Sequence, residues 1–185
     1  FPYTTLFRAV PPADVVFDFE VIRRTDTGTL VTVTAYPKKF VDAYVRMFGN
    51  AGLTLRALEV ESHSLARAAL SGPDLSTAVM VVDLGENATR IAIAENGVVS
   101  FTATVEMGGA SFTAAVMKLF NLSAAEAEKM KIEKGFLMHS SNKELVEALM
   151  SSVSVIKEEI AKHLAYWNSL DDGIPRKKVE KAVLC

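Results

Sequence analysis

Ala78-Val79-Met80-Val81-Val82 is a continuous apolar run that stops at Asp83-Leu84-Gly85. A strand with no polar alternation needs cover on both faces, so this run predicts the buried centre of a sheet. Arg90 to Ala94 and Val98 to Val105 follow with alternating patterns, as half-buried strands do. Asn96-Gly97 joins them, and both residues tolerate the positive φ that a tight hairpin needs. The expected unit is an antiparallel meander of three strands.

Helices are predicted next. The first covers Ala110 to Phe120. The second carries an explicit start: Ser123 as N-cap, Glu126 three residues on, and Leu122 with Ala127 as a hydrophobic staple. It ends at Gly135. A long helix runs from about Lys143 to Asn168, with Leu145, Leu149, Ile156, Ile160, Leu164 and Trp167 at helical spacing and read as core. Asp171-Asp172-Gly173-Ile174-Pro175 stops it, and Val179 to Leu184 reads as a closing strand.

Upstream, the pattern is strand, strand, helix, strand, helix. Val15 to Val21 and Leu30 to Tyr36 are the first two strands, joined around Thr25-Asp26-Thr27-Gly28. Pro37 opens a helix bearing Phe40, Val41, Tyr44, Val45 and Phe48, with Gly52 as a left-handed stop. Leu53 to Val60 is expected as a third strand, and Ser62 as the cap of a helix over Leu65 to Leu70. Gly72-Pro73-Asp74 is the best internal boundary. The expected organisation is a small lobe over 1–60, a return helix and linker over 61–76, and a larger α/β lobe over 77–185 with a helical sublobe at about 136–172.

Bulk properties exclude several classes. Lys and Arg number 20 against 22 Asp and Glu, a formal net charge of -2, which gives no electrostatic reason to expect nucleic acid. The basic run Arg176-Lys177-Lys178 is read as a solvated turn. The single cysteine, Cys185, fits a reducing compartment. No stretch approaches the ~18 apolar residues of a membrane span. Both ends read as cuts into a longer chain: Phe1-Pro2-Tyr3-Thr4-Thr5 has no initiator Met or signal pattern, and the apolar run Val179 to Cys185 stops without a polar tail. His63, His139 and His163 have no metal-ligand spacing. The serines of Ser151-Ser152-Val153-Ser154 are read as helix surface, and no Ser/His/Asp or Cys/His set points to hydrolysis.

Three places could carry chemistry. The turn Asp83-Leu84-Gly85-Glu86-Asn87-Ala88-Thr89 would expose consecutive backbone N–H groups, which form an anion nest, while a carboxylate at the strand end can hold Mg²⁺ through water. The same turn also fits an ordinary polar hairpin. Gly108-Gly109 opens a helix, where N–H groups and the positive dipole end favour phosphate; a tight turn uses the same residues. Glu128 and Lys131 share a helix face, so a carboxylate and an ammonium can meet the hydroxyls of a ribose, or form a plain surface ion pair.

The order of these pieces resembles the second half of the actin and heat-shock-chaperone ATPase core, a ribonuclease H-like fold. Within that superfamily, Val82-Asp83-Leu84-Gly85, the stretch from Met107-Gly108-Gly109 to Thr113, and Ala125-Glu126-Ala127-Glu128-Lys129-Met130-Lys131 with Gly135 are similar to the PilM family and its cell-division relative FtsA. Phe17-Asp18-Phe19-Glu20-Val21, Asn50-Ala51-Gly52-Leu53, Glu59-Val60-Glu61 and Glu158 to Tyr166 tilt the resemblance to PilM, a type IV pilus assembly family. It spans nearly the whole chain. The fold class implied is α/β, part of the actin-like core with a small inserted strand-helix lobe.

The resemblance implies ATP and Mg²⁺ as ligands. Asp83 would position the Mg²⁺. Gly85, Asn87 and Thr89 would cradle the β- and γ-phosphates, Gly108 and Gly109 would line the phosphate or sugar side, and Glu128 and Lys131 would hold the ribose. Glu86 places an acid in the phosphate loop, which repels unless it points away or acts through the metal. The family's first phosphate loop is expected upstream of Phe1 and its adenine loop after Cys185, so ATP binding by this segment alone is expected to be weak or absent.

The function implied is a cytoplasmic, ATP-binding scaffold of the pilus inner-membrane platform. It would bind the cytoplasmic tail of a PilN-like membrane protein in a groove beside the small lobe and meet other platform proteins, with at most slow ATP turnover. Two alternatives stay open. One is an FtsA-like cell-division filament protein, and the other is an actin-fold phosphotransferase or chaperone-like ATPase, which needs a catalytic acid elsewhere.

Overall fold

The computed structural model describes residues 11–26, 28–72, 76–135, 137, 142–170 and 175–185. The segment Phe1–Thr5, Thr27 of the hairpin, Pro73-Asp74 of the expected boundary, His139 and the helix stop at Asp171–Ile174 lie outside the described residues. The chain divides into two compact units, Phe1–Ser64 and Leu65–Cys185.

In the first unit, β1 (Val15–Thr25) and β2 (Gly28–Pro37) pair antiparallel from Val15↔Pro37 to Thr25↔Gly28. The Thr25 hydroxyl donates to the Gly28 carbonyl at 3.0 Å and accepts its N–H at 3.1 Å, closing the turn. The register shifts between Val21 and Arg23, so Ile22 is an inserted residue, and its side chain is buried. Pro37 ends β2 and caps α1 (Lys38–Asn50). Gly52, at φ +71°, stops that helix. The Leu53 N–H reaches the Phe48 carbonyl at 2.9 Å and the Gly52 N–H reaches Gly49 at 3.0 Å, a Schellman arrangement.

Two expectations fail here. Residues Leu53 to Val60 form no strand; a strand exists only where a neighbouring edge offers ladder bonds, and alternation does not supply one. Ser62 is not a cap. The helix α2 (Glu61–Ala69) begins before it, and its hydroxyl is buried without a hydrogen-bond partner among the described residues. The next residue, His63, places Nδ1 3.1 Å from the Glu20 carboxylate of β1.

The second unit is a four-stranded sheet in the order β5-β4-β3-β6. β3 (Ala78–Leu84), β4 (Thr89–Glu95) and β5 (Val98–Val105) form the expected antiparallel meander, and β6 (Val179–Leu184) lies parallel to β3. Asn96 and Gly97 turn the β4–β5 hairpin at φ 56° and 79°. β3 is covered on both faces, which accounts for its unbroken apolar run. Val79 and Val81 pack with Ala92, Ala94 and the α2 residues Ala66 and Leu70. On the opposite face Met80 and Val82 pack with Ile91, Ile93 and Trp167.

Trp167 belongs to α5 (Lys143–Ser169), the long helix. Its indole N–H donates to the Lys177 carbonyl at 2.9 Å. The basic run is therefore more than a solvated turn. The Lys177 ammonium donates to the Asn96 side chain at 2.8 Å and to the Ser76 carbonyl, and the Arg176 guanidinium lies 5.6 Å from the Trp167 ring centre.

α3 (Gly109–Phe120) and α4 (Ala124–Lys134) complete the unit. Phe112, Val116 and Ala127 join Leu145, Leu149 and Ile156 of α5 in a third apolar cluster. α4 begins with the expected capping box: Ser123 Oγ accepts the Glu126 N–H and the Glu126 carboxylate accepts the Ser123 N–H at 3.0 Å. No helix among the described residues is long and apolar enough to cross a membrane. Replacing Ser123 by Ala removes one half of this box and is expected to lower unfolding free energy by about 1 kcal/mol. Urea titrations of the two proteins check this through a shift in midpoint at unchanged slope.

Candidate nucleotide site

The site is built where the β3–β4 turn meets the start of α3. The Gly85 N–H closes the turn tightly, donating to the Ala88 carbonyl at 3.1 Å. The first helical donors then reach across: Gly109 N–H to the Gly85 carbonyl at 2.9 Å, and Ala110 N–H to the Glu86 carbonyl at 2.7 Å. This corrects the reading in which the N–H groups of a Gly-Gly helix start point at phosphate. The N–H groups of Gly109 and Ala110 are already occupied by the turn.

The same bonds orient the turn. In a trans peptide the C=O and the following N–H point in opposite directions, and the chain has no cis bond among the described residues. With the Gly85 and Glu86 carbonyls drawn toward α3, the N–H groups of Glu86 and Asn87 point away from it. Neither has a backbone partner among the described residues. Two consecutive outward amides are the nest that an anion needs.

Gly108 has an extended backbone, with φ -155°, so its identity reflects space and not an unusual φ. A Cβ there would stand 2.7 Å from the Glu86 carbonyl oxygen and 2.8 Å from the Ala88 nitrogen, and would also strike the Gly85 oxygen. Gly85 is similarly confined, 2.9 Å from the Ala88 oxygen.

Thr89 is a second correction. It is fully buried, and its hydroxyl donates to the Met107 carbonyl at 2.7 Å. It fastens the turn to the end of β5 and has no donor for a phosphate. Asp83 is half-buried opposite Arg90, with Oδ2 3.5 Å from the guanidinium. Strand alternation sets Asp83 on the α2-facing side with Val79 and Val81, whereas Val82 and Leu84 turn to the other side. The ion pair engages one of the two Asp83 carboxylate oxygens. Among the described residues no group of three or more His, Cys, Asp or Glu is placed to hold a metal ion directly.

Glu128 and Lys131 meet as expected, at 2.7 Å. Thr113 of α3 joins them. Lys131 Nζ donates to Thr113 Oγ1 at 2.9 Å and to the Gly109 carbonyl at 3.1 Å, and Thr113 also bonds Glu128 Oε2. The Lys131 ammonium and then the Thr113 hydroxyl hold the Glu128 carboxyl below its ordinary value. Gly109 is the joint of the whole arrangement. Its N–H binds the turn, its carbonyl binds Lys131, and a Cβ on it would lie 3.6 Å from Lys131 Nζ and 3.8 Å from Glu86 Cα.

Beside this joint lies a cavity of about 530 Å³ with mainly apolar walls. Val82, Leu84 and Leu184 form its floor at the carboxyl ends of β3 and β6, Phe112 and Ile156 stand among its walls, and Lys131 brings a charge. Open α/β sheets place ligands at this end of their strands.

Residues 9–185 match the family described as type IV pilus assembly protein PilM. The chain belongs to the PilM family. The PilM-PilN type IV pilus biogenesis complex contains a chain with the same fold, at a TM-score of 0.65 and 21% identity, covering 89% of this chain and 49% of that one. MreB5 of Spiroplasma citri bound to AMPPNP is also similar, at a TM-score of 0.58 and 13% identity over 73% of this chain and 49% of its own. The cell division protein FtsA of Bacillus subtilis (strain 168) is 27% identical over 135 residues, which is 73% of this chain and 29% of FtsA. The chain thus spans less than a third of that relative and about half of each solved chain. The fold is that of the actin-like ATPases, as the motif order implies.

For a PilM-family chain the structure adds residues that motif reading passed over. Arg90 was legible: a short turn after Asp83 sets it directly opposite. Thr113 was legible as a lone polar side chain between Phe112 and Val116 in an apolar helix, since a buried hydroxyl requires a partner. Gly108→Ala tests the joint. With backbone on every side of the added methyl, the change is expected to cost about 1–3 kcal/mol or more. Gly49→Ala, in α1 with nothing within 4 Å of its Cβ, is the control and is expected to be neutral or stabilising by up to about 1 kcal/mol. Denaturant midpoints of the two variants check both.

Proposed function

We propose that this chain carries the second phosphate loop and the sugar contacts of an ATP site in a type IV pilus scaffold, and that nucleotide controls its hold on the cytoplasmic tail of a PilN-like membrane protein. One observation carries the reading: Gly109 ties an anion-ready turn and a carboxylate–ammonium pair to one point beside an apolar cavity. These are the demands of a nucleotide, with negative phosphates at one end, hydroxyls in the middle and a flat apolar base.

In this reading the Glu86 and Asn87 amides meet phosphate oxygens, with Gly85 keeping the turn tight. Asp83 would hold Mg²⁺ through a water, using the oxygen that Arg90 leaves. The ion would supply charge neutralisation for the phosphates. Glu128 and Lys131 stand at the ribose, and the cavity takes the base. MreB5, whose fold is similar, is a protein bound to AMPPNP, which supports a nucleotide as the ligand class.

The partner reading rests on family membership and on the similarity to the PilM-PilN complex. The first unit suits a partner surface. Phe17 and Phe19 of β1 and Phe40, Tyr44 and Met47 of α1 are all exposed, and exposed apolar residues in such number mark contact surfaces. A scaffold held at the inner membrane by such a tail would work in the cytoplasm, as the single cysteine suits. Match over residues 9–185 favours the pilus role over the cell-division alternative.

The full-length reading frame is the protein to test. Mg-ATP is expected to bind by calorimetry, and Glu128→Ala to weaken it roughly tenfold, the worth of a hydrogen bond to a charged group. A synthetic PilN tail peptide, followed by fluorescence anisotropy, is expected to bind with an affinity that differs between nucleotide-free and ATP-loaded protein. Failure of the ATP-loaded full-length chain to hold the tail would overturn the partner assignment.

A further inference from the structure

Lys131 and Lys157 are the two charged side chains that line the apolar cavity. The other lining residues among those described are aliphatic, glycine or Phe112. The two lysines are in opposite states. Lys131 has three N–H bonds to give, and Glu128 Oε2 at 2.7 Å, Thr113 Oγ1 at 2.9 Å and the Gly109 carbonyl at 3.1 Å take them. Lys157, on α5, is exposed and has no hydrogen bond or ion pair among the described residues.

The sequence of α5 explains the difference. Side chains on a helix pair with neighbours three or four positions away. The other two lysines of this helix have acids there: Lys143 lies 3.7 Å from Glu147, and Lys162 lies 3.1 Å from Glu159. Around Lys157 the corresponding positions hold Val153, Ser154, Ile160 and Ala161, and none is an acid. Val153 and Ile160 line the same cavity. A lysine stem lies well along such a wall, with its ammonium left at the edge. The helix thus sets its one lysine without a described partner on the cavity side.

Resting on the nucleotide reading above, which puts the base in this cavity, we propose that Lys157 is a further binding residue that donates a hydrogen bond to an acceptor atom on the edge of the base. An apolar pocket orients its ligand through the few polar groups it holds. Lys131 is tied to α3 and to Glu128, so Lys157 is the lining side chain with donors to spare. No described lining side chain is an acceptor. On this side the base is therefore recognised by apolar contact and by an atom that accepts, such as a ring nitrogen.

The test uses the full-length protein and Mg-ATP, followed by calorimetry. Lys157→Met keeps the apolar stem and removes the donor, and is expected to weaken binding roughly tenfold, the worth of one bond to a charged group. Lys157→Arg keeps charge and donors and should stay within about threefold of wild type. Lys162→Met removes the same charge from the same helix at a position outside the cavity lining, and should also stay within about threefold, since exposed charges at a distance are screened. Mg-tripolyphosphate, which has no base, separates a contact at the base from attraction for the phosphates. Its competition against Mg-ATP should be equal in wild type and Lys157→Met once each is corrected for its own ATP affinity.

A folded Lys157→Met that binds Mg-ATP as wild type does would overturn the proposal. An equal loss in Lys162→Met would overturn it by showing an effect of net charge alone, and an equal loss for tripolyphosphate would move the contact to the phosphates. If tripolyphosphate does not compete at all, the Lys162→Met comparison decides. If Lys157→Met does not fold, Lys157→Gln, shorter and uncharged, takes its place. No Mg-ATP binding by the wild-type protein would instead sink the nucleotide reading, whereas failure of Lys157 alone leaves that reading standing.

Discussion

Two hydrogen bonds between the β3–β4 turn and the first residues of α3 set up everything else at this site. A helix start has donors without intrahelical partners, and a turn has carbonyls without ladder partners. Here each satisfies the other, through Gly109 to Gly85 and Ala110 to Glu86. The approach is so close that Gly108 cannot carry a side chain. Because peptide units are planar and trans, fixing two carbonyls inward fixes two amides outward. The first donors of the helix are therefore taken up by the turn, and the turn's own two amides are left facing outward.

That indirect arrangement marks the limit of what the sequence disclosed. The unbroken run Ala78 to Val82 announced a strand covered on both faces, and the sheet has helices there. The capping box, the Asn96-Gly97 hairpin and the Gly52 stop were legible because each is a local rule with its own residues. Leu53 to Val60 misled because strand formation is a property of two partners, and a single segment reports one. The pairing of Thr113 with Glu128 lay beyond reading because it joins two helices whose crossing no local rule fixes.

Thr89 was a different kind of error, since a signal against it was present. Side chains at alternate strand positions share a face, so Thr89 goes with Ile91 and Ile93, both buried. A residue in register with two core isoleucines is poorly placed to greet solvent phosphate. The family resemblance drew it into the cradle along with the rest of the turn. Periodicity placed it under the turn, where its bond to Met107 holds the turn's far end. Asp83, on the opposite parity, emerges half-buried and paired with Arg90.

The register of α4 ties the capping box to the placement of the Glu128–Lys131 pair. Ser123 and Glu126 fix where the helix begins, and the hydrogen bonds from Ser123 hold the Glu126 carboxyl below its ordinary value. Once the start is fixed, the 100° step per residue turns Ala127 wholly into the core and Met130 against it. Glu128 and Lys131, three apart, must then share the adjoining face, toward Thr113 and Gly109. A start displaced by one residue would rotate that pair off the α3 contact and present Lys129 in its place. The cap is thus a condition of the site, although it touches none of the atoms that a nucleotide would meet.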